Sequence, residues 1–344
     1  MSPRLPLLAL CAAALALLSL PAAPARAYDP PRTPDGRPDF QGIWTNISLT
    51  NLERPQGIGK LVVSAEEAAA IVSAMSIAGV SAEQRDDSDF VDPNEGAPPK
   101  GSRDFGVQGY DSFWVDPGQT LARVNGEYRT SYIIDPPDGR LPYRDRGGIL
   151  ARRQKSFLRY VTGEGGNEGP EAMSLAERCL IGFGNTGGPG MLSVLYNNTY
   201  QFVQTADHFV ILVEMNHDAR IARIGGEHLP PAIRPWLGDT IARWEGDTLV
   251  METRQIHPLQ GPQGSFPLSP DAVVIERFTR TAEDEIVYAF TVKDPVFYTR
   301  DWTAELSFHR TEGPVYEYAC HEGNYAMTHI LTGARAKEAG DAGR

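Results

Sequence analysis

The sequence is poor in basic residues and has only one long hydrophobic run. Lysine and arginine number 32 against 44 aspartates and glutamates, so the formal net charge is −12 at pH 7. A chain this acidic is a poor partner for nucleic acid or for an anionic membrane surface. Beyond the N-terminus no apolar run approaches the ~20 residues that cross a bilayer, so no membrane span is predicted.

The single long apolar run lies at residues 5–20, after Met1-Ser2-Pro3-Arg4. It is followed by the small-x-small sequence Ala25-Arg26-Ala27, which is typical of a signal-peptide cleavage site. We therefore predict a signal peptide over residues 1–27, with cleavage after Ala27, and a periplasmic or secreted product. Without that segment, which holds two arginines and no acids, the net charge is about −14.

Cysteine is scarce as well. Of the three cysteines, Cys11 lies in the predicted signal peptide, which leaves Cys179 and Cys320. Two cysteines in an oxidising compartment most simply form one disulfide, and two free buried thiols are the alternative. There is no CxxC pattern, so a structural zinc site of that type is not expected.

The motifs of the common catalytic and cofactor sites are missing. The glycine-rich run 182–190 lacks the GxxxxGK[ST] order of a phosphate loop, and GxSxG, HxH and HExxH do not occur. The side chains suited to zinc or iron come from distant segments: His217, Asp218, His321 and Glu322. We therefore predict neither a metal nor an organic cofactor.

From residue 199 onward, short β-branched and apolar runs alternate with turn residues. Such runs, separated by turns like Glu245-Gly246-Asp247, predict antiparallel hairpins. The predicted pairs are 199–204 with 209–214, 241–244 with 248–253, 272–280 with 285–292, and 302–309 with 315–320. Eight or nine antiparallel strands joined by short turns favour an up-and-down barrel over a sandwich.

The remaining residues are predicted to wrap this barrel. A proline-rich arm at 28–41 leads to Gly42-Ile43-Trp44, and a helix over 64–81 begins with a capping box of Ser64 and Glu67. We expect one domain over 28–332 with its barrel core at 196–325, short helices in inserted loops, and a polar tail at 333–344. A separate N-terminal domain ending near residue 150 is the alternative.

Segments along nearly the whole chain resemble a widespread family of exported bacterial proteins. They are PDGRPDFQGIW (34–44), TSYIIDPPDGRLPY (130–143), ERCL (177–180), EMNHDARI (214–221), RWEGDTLVMET (243–253), WTAELSFHR (302–310) and YEYACHEGNY (316–325). That family has no settled activity, so the resemblance implies no catalytic residues. Gly42-x-Trp44 and the strand pattern also resemble lipocalin-type barrels, in which the tryptophan closes the floor. The predicted fold is mainly β, an antiparallel up-and-down, lipocalin-like barrel.

The first candidate site is a polar cluster after the apolar run 209–214. All seven histidines fall between His208 and His329, and histidine is the side chain most readily poised near neutral pH. A carboxylate beside His217 would hold its tautomer and make it a usable general base or acid, with Asp218 or Glu214 as the orienting group. The structural alternative is an ion pair between Asp218 and Arg220 at a strand end.

The second candidate site follows the last predicted strand. His321 is predicted as the second acid–base group, and Arg243 as a group that stabilises an anion, with a cross-strand salt bridge as the alternative for Arg243. The predicted substrate-binding residues are Tyr196, Asn197, Arg220, Trp244, Glu322 and Tyr325. Because the first and last strands of a barrel pair, we expect His217 and His321 at one cavity.

These residues predict an exported barrel enzyme. It would act on a small organic molecule by cofactor-free acid–base chemistry of the lyase, isomerase or hydrolase type. A non-catalytic small-molecule binding protein of the bacterial envelope is the alternative. A polar, charged cavity floor favours the enzyme, and an apolar floor favours the binding protein. The sequence specifies neither the substrate nor an oligomeric state.

Overall fold

A computed structural model describes residues 28–75, 116–162, 166–261 and 264–342. The predicted signal peptide lies outside these ranges. So does the end of the helix predicted over 64–81. Within the described ranges, no helix is both long enough and apolar enough to cross a membrane.

The N-terminal third is made of short elements. Its strands and helices are β1 (Gly42–Thr45), β2 (Val62–Val63), α1 (Ala65–Ser73), β3 (Arg123–Val124), β4 (Glu127–Arg129), β5 (Ile133–Asp135) and α2 (Arg146–Thr162). Helix α1 begins with the predicted capping box, since the Ser64 hydroxyl accepts the Glu67 amide and the Glu67 carboxylate accepts the Ser64 amide.

Longer strands fill the second half. They are β6 (Thr199–Gln204), β7 (His208–Val213), β8 (Ala219–Ile224), β9 (Asp239–Glu245), β10 (Thr248–Arg254), β11 (Val273–Arg280), β12 (Glu285–Lys293) and β13 (Trp302–Arg310). Two helices end the described chain, α3 (Cys320–Gly323) and α4 (Tyr325–Ala342). Buried and exposed residues alternate along most of these strands, which is the period-2 pattern of a sheet with one buried face.

Nine of these strands close into a barrel. The order is β1-β6-β7-β8-β9-β10-β11-β12-β13, β1 also pairs with β13, and β5 adds to β13 as a tenth strand. The predicted barrel is thus confirmed, but the prediction that all its strands are antiparallel is wrong at one pair. Strands β8 and β9 are parallel, because loop 225–238 carries the chain back along the barrel before β9 begins.

The barrel also differs from its predicted limits of 196–325. Its closing strand is β1, and its last strand ends at Arg310. The strand predicted at 315–320 is wrong, and helix α4 covers much of the expected polar tail. Because β1 pairs with both β6 and β13, those two strands have no free edge. A further strand therefore cannot pair between them.

The interior of the barrel is packed with aromatic rings. Trp44 is fully buried, and its indole Nε1 donates to the Phe40 carbonyl at 2.9 Å. The guanidinium groups of Arg280 and Arg310 lie 5.6 and 5.3 Å from its ring. The expectation of a buried Trp44 is confirmed. Other rings fill the space above it: Tyr200, Phe202, Phe209, Phe278, Tyr288, Phe290, Trp302 and Phe308.

A second, three-stranded sheet packs on the outside of the barrel. Its order is β2-β4-β3, and with α1 it buries a small cluster of Val63, Ala68 and Leu121. The Glu285 carboxylate accepts the Asn125 amide at 2.9 Å, which ties this layer to strand β12. The N-terminal third therefore wraps the barrel by direct contacts.

Candidate functional site

Most of the predicted site residues lie at one end of the barrel. We call this end, which contains the turn 214–218 between β7 and β8, the upper end. The opposite end, where Trp44 lies, is called the lower end. Residues 174–198 and the segment 311–323 also reach the upper end, as their contacts show. The glycine-rich run and the C-terminal segment are therefore brought together there, although they are distant in sequence.

The disulfide joins these two segments. Cys179 and Cys320 are bonded with their Cα atoms 5.7 Å apart, so the predicted pairing is confirmed. The Asn324 side-chain amide donates to the Glu177 carbonyl at 2.8 Å and lies 3.4 Å from the Cys179 sulfur. The start of α4 is thus fixed to residues 177–179 by a covalent bond and by hydrogen bonds.

Glu214 fixes the same C-terminal segment to the barrel itself. Its carboxylate is buried and accepts the backbone amides of Thr199 and Tyr316, each at 3.2 Å. Both bonds go to backbone groups of neighbouring segments. Glu214 therefore holds the segment 311–320 against the first residue of β6.

Asp218 holds the glycine-rich run in a similar way. Its Oδ2 accepts the Gly182 amide at 2.7 Å, and its Oδ1 accepts the Asn216 side-chain amide at 3.0 Å. Burial raises the pKa of this carboxyl, and the two hydrogen bonds and the nearby His217 oppose that rise only in part. A buried carboxyl with a raised pKa is a candidate acid–base group.

His217 itself is exposed, on a tight turn. Its φ is +41°, and that of Asn216 is +59°. His321 is exposed as well, on helix α3. The two histidines belong to segments that meet at the upper end, because Asp218 contacts Gly182 and the disulfide joins α3 to residue 179.

Arg220 was predicted as a substrate-binding residue, with an ion pair to Asp218 as the structural alternative, and in the structure it pairs with another carboxylate. Arg220 is buried and forms a two-pronged ion pair with Glu276, with one N–O distance of 2.9 Å. Its guanidinium also donates to Thr253 at 3.0 Å. Glu276 accepts the Tyr288 hydroxyl at 2.5 Å. The barrel interior therefore holds a hydrogen-bonded charge pair among its aromatic rings.

The electrostatics of this pair favour its charged form. Burial alone would raise the pKa of Glu276, but the charge and hydrogen bonds of Arg220 hold it below its ordinary value. Glu276 is a charged residue between Val274 and Phe278 in the inward-facing alternation of β11, a pattern that is visible in the sequence. A charge at a core position of a strand must be paired.

The glycine-rich run 182–190 covers the upper end above this pair. The Gly190 amide donates to Glu276 at 3.2 Å, and the Met191 amide donates to the Tyr288 hydroxyl at 2.9 Å. Glycine is required by this close approach, since a Cβ on Gly188 would lie 2.6 Å from an Arg220 nitrogen and its φ is +80°. The run thus acts as a plug that closes the upper end of the barrel. The sequence analysis, which excluded a phosphate loop, did not predict this role.

Hollows of different sizes remain around this plug. A cavity of about 110 Å³ lies against the glycine-rich run, with Phe183, Asn185, Leu237 and Gln260 in its wall. A groove of about 610 Å³ lies between the barrel and the C-terminal helices. Its lining residues are Ala176, Glu177, Tyr196, Asn197, Glu317, Tyr318, Ala319, Cys320, Gly323, Asn324 and Ala326.

The groove contains two of the predicted substrate-binding residues, Tyr196 and Asn197. Glu322 and Tyr325 are exposed on the helices that border it, and Tyr325 keeps 72% of its surface. Small-molecule sites commonly enclose ~300–1,000 Å³, so the groove has a suitable size and the cavity is smaller.

Arg243 and Trp244 lie elsewhere, toward the lower end on β9. Arg243 is exposed on the outside and donates to Glu245 of the same strand at 2.7 and 3.0 Å, so this salt bridge is not the cross-strand one named as the alternative. The Trp244 ring stacks on Phe40 at 5.7 Å, and the Arg37 guanidinium lies 5.7 Å from it. The structure does not bring these two residues to the groove.

A further polar cluster on the barrel wall was not anticipated. The ring nitrogens of His228 lie 2.7 Å from Asp239 and 3.3 Å from Glu252, and Asp239 also pairs with Arg223 at 2.9 Å. These bonds hold the crossover loop 225–238 on strands β9 and β10. Across the described ranges, no group of three or more His, Cys, Asp and Glu side chains has the arrangement of a metal site.

Comparison with known proteins supplies no relative from which a site could be transferred. No protein-family model matches the chain, and no curated protein or solved structure matches it. Membership of a family of exported bacterial proteins therefore stays a prediction from the sequence segments. The candidate site depends on geometry alone.

Proposed function

We propose that the protein is an exported, lipocalin-like barrel that binds a small organic molecule in the groove at its upper end. The observation that carries this proposal is the groove of about 610 Å³ between the barrel and helices α3 and α4. Its size fits a small molecule. The barrel interior is packed with aromatic rings and the Arg220–Glu276 pair.

The lining of the groove suits a partly apolar ligand with hydrogen-bonding groups. Tyr196 and Tyr318 line the groove with aromatic rings and Asn197 with an amide group. The ring of Tyr196 packs edge-on against Phe183 with centroids 5.5 Å apart, which fixes its orientation. An aromatic or alicyclic molecule with hydroxyl or carbonyl groups matches this chemistry.

The walls of the groove are held in place before any ligand arrives. The disulfide fixes α3 to residue 179, and Glu214 fixes the Tyr316 backbone to the barrel. A site that needs no ordering on binding loses less entropy when it is occupied. This preorganisation supports a binding role for the groove.

The test fills the groove and measures binding of a fluorescent apolar probe, N-phenyl-1-naphthylamine. Ala326 lines the groove and Ala336 lies farther along the same helix, exposed. We expect Ala326→Trp to abolish the fluorescence rise, and the matched control Ala336→Trp to keep it. Equal binding by both variants, or no binding by the wild-type protein, would contradict the proposal.

A second candidate function is acid–base catalysis of the lyase, isomerase or hydrolase type. The observation that favours it is the buried carboxyl of Asp218, whose pKa burial raises. This carboxyl lies directly behind Gly182 and Gly187, which line the cavity of about 110 Å³. Asp218 would transfer the proton, with His217 as its neighbour at the solvent side.

Catalysis is tested with Asp218→Asn, which removes the titrating group and keeps the shape. Wild-type protein and the variant are each incubated with a bacterial metabolite extract, and consumed compounds are identified by mass spectrometry. We expect turnover by the wild-type protein and by the control Asp284→Asn, whose residue is exposed at a lower-end turn, and none by Asp218→Asn. Probe binding without any turnover would leave the binding protein as the function.

A further inference from the structure

Helix α2 carries a concentration of positive charge in an acidic protein. Its 17 residues, Arg146–Thr162, include five basic residues and no aspartate or glutamate, whereas the whole chain has a net charge of −12. At physiological ionic strength charges act over about 8 Å, so this local charge, and not the net charge, decides what the helix attracts.

One face of α2 rests on the protein. Ile149 is buried, the Arg152 guanidinium lies 5.8 Å from the Phe297 ring, and Arg153 donates to the Ser265 carbonyl. Arg146 pairs with Glu53. These contacts fix the rotation of the helix about its axis and hence the face that points to solvent.

The opposite face is apolar and exposed. Leu158 follows Ile149 by nine residues, which is two and a half turns of an α-helix, so it lies on the other side. Leu150 and Leu158 each keep 50% of their surface exposed. Ala151 and Gln154 between them are exposed too, and Lys155 lies beside Leu158 on the helix surface.

We infer that this face of α2 docks on an anionic phospholipid surface. An exposed apolar stripe flanked by basic side chains is the pattern of helices that lie in the plane of a membrane interface. Leucines would enter the acyl boundary while Lys155 remains among the headgroups. Leucines at the centre of the face favour a lipid surface over a nucleic acid, because a nucleic-acid site would have basic side chains at its centre.

The test is co-sedimentation of the full chain with lipid vesicles. We expect binding to vesicles of phosphatidylcholine and phosphatidylglycerol at 3:1, little binding to pure phosphatidylcholine, and weaker binding in 0.5 M salt. The double variant Leu150→Glu/Leu158→Glu should lose at least ~10-fold in vesicle partitioning, and Lys155→Ala about 5-fold.

The matched control places the same change elsewhere. Ile233 and Ile330 are exposed at 48% and 44%, and Ile233→Glu/Ile330→Glu should bind vesicles like the wild-type protein. Circular dichroism and the intact disulfide check that each variant is folded. Equal losses in both double variants would overturn the inference, as would vesicle binding independent of phosphatidylglycerol. Sedimentation velocity showing that Leu150→Glu/Leu158→Glu dissolves a dimer would assign the face to a second copy of the chain instead.

Discussion

The buried pair of Arg220 and Glu276 gives the sharpest test of the fold. We consider Glu276→Leu, which removes the only carboxylate that the structure shows on this guanidinium among the described residues. The guanidinium would keep its bond to Thr253 at 3.0 Å but lose both contacts to Glu276. The Gly190 amide and the Tyr288 hydroxyl would lose their acceptor as well.

The expected cost follows from these losses. Leaving one partner of a buried ion pair without the other typically destabilises a protein by ~3–5 kcal/mol. The converse change, Arg220→Met, should cost a similar amount because it leaves a buried carboxylate. The double variant Arg220→Met/Glu276→Leu should cost less than either single change, since it buries no unpaired charge. The coupling between the two sites should then reach at least ~2 kcal/mol.

The measurement is denaturation by urea with the disulfide intact, followed by tryptophan fluorescence. Single variants that lose under about 1 kcal/mol, or a double variant whose loss equals the sum of the single losses, would refute the reasoning. Either result would mean that Arg220 and Glu276 do not interact as a desolvated pair.

The same pair predicts a dependence of stability on pH. The pKa of Glu276 is lower in the folded protein than its ordinary value. Its stabilising effect is therefore fully present above the unfolded-state pKa of about 4.3 and is lost as the pH falls through the lower folded value. Against Glu276→Gln, the wild-type free energy of unfolding should fall more steeply below pH ~4.3. Parallel curves for the two proteins would contradict this.

Three further outcomes are expected. Trp44→Ala should cost ~3–5 kcal/mol in urea denaturation as a large core deletion, and a loss under ~1 kcal/mol would contradict its place in the core. Reduction of the Cys179–Cys320 bond, whose cysteines are 141 residues apart, should cost at most ~5 kcal/mol by loop entropy; an unchanged melting temperature would contradict a structural role. Gly188→Ala should destabilise the plug, because its Cβ would lie 2.6 Å from Arg220; calorimetry showing no loss would contradict that contact.

The sequence by itself determined the barrel and much of its floor. The alternation of apolar and polar residues from Thr199 onward has period 2, and each strand end is marked by local turn chemistry such as Glu245-Gly246-Asp247. The resemblance of Gly42-x-Trp44 to lipocalin-type barrels predicted a buried tryptophan, and Trp44 is buried on strand β1. The Cys179–Cys320 disulfide could be predicted because the sequence has no other cysteine outside the predicted signal peptide.

The closure of the barrel was decided by tertiary structure. A local pattern states which residues form a strand, but not which strand becomes its neighbour. Strand β1 inserts between β6 and β13 from more than 150 residues away, and this removes the edge that a strand at 315–320 would have needed. The parallel pairing of β8 and β9 likewise depends on the path of loop 225–238.

The candidate site shows the same division. Glu214 and Asp218 are close in sequence and lie at the two ends of one turn, but their partners Tyr316 and Gly182 lie in remote segments. The structural alternative paired Arg220 with the neighbouring Asp218, whereas the structure pairs it with Glu276, 56 residues away. Sequence proximity suggests an ion pair, but in a barrel the inward direction of each side chain selects the partner. That direction is set by strand register, which only the folded sheet defines.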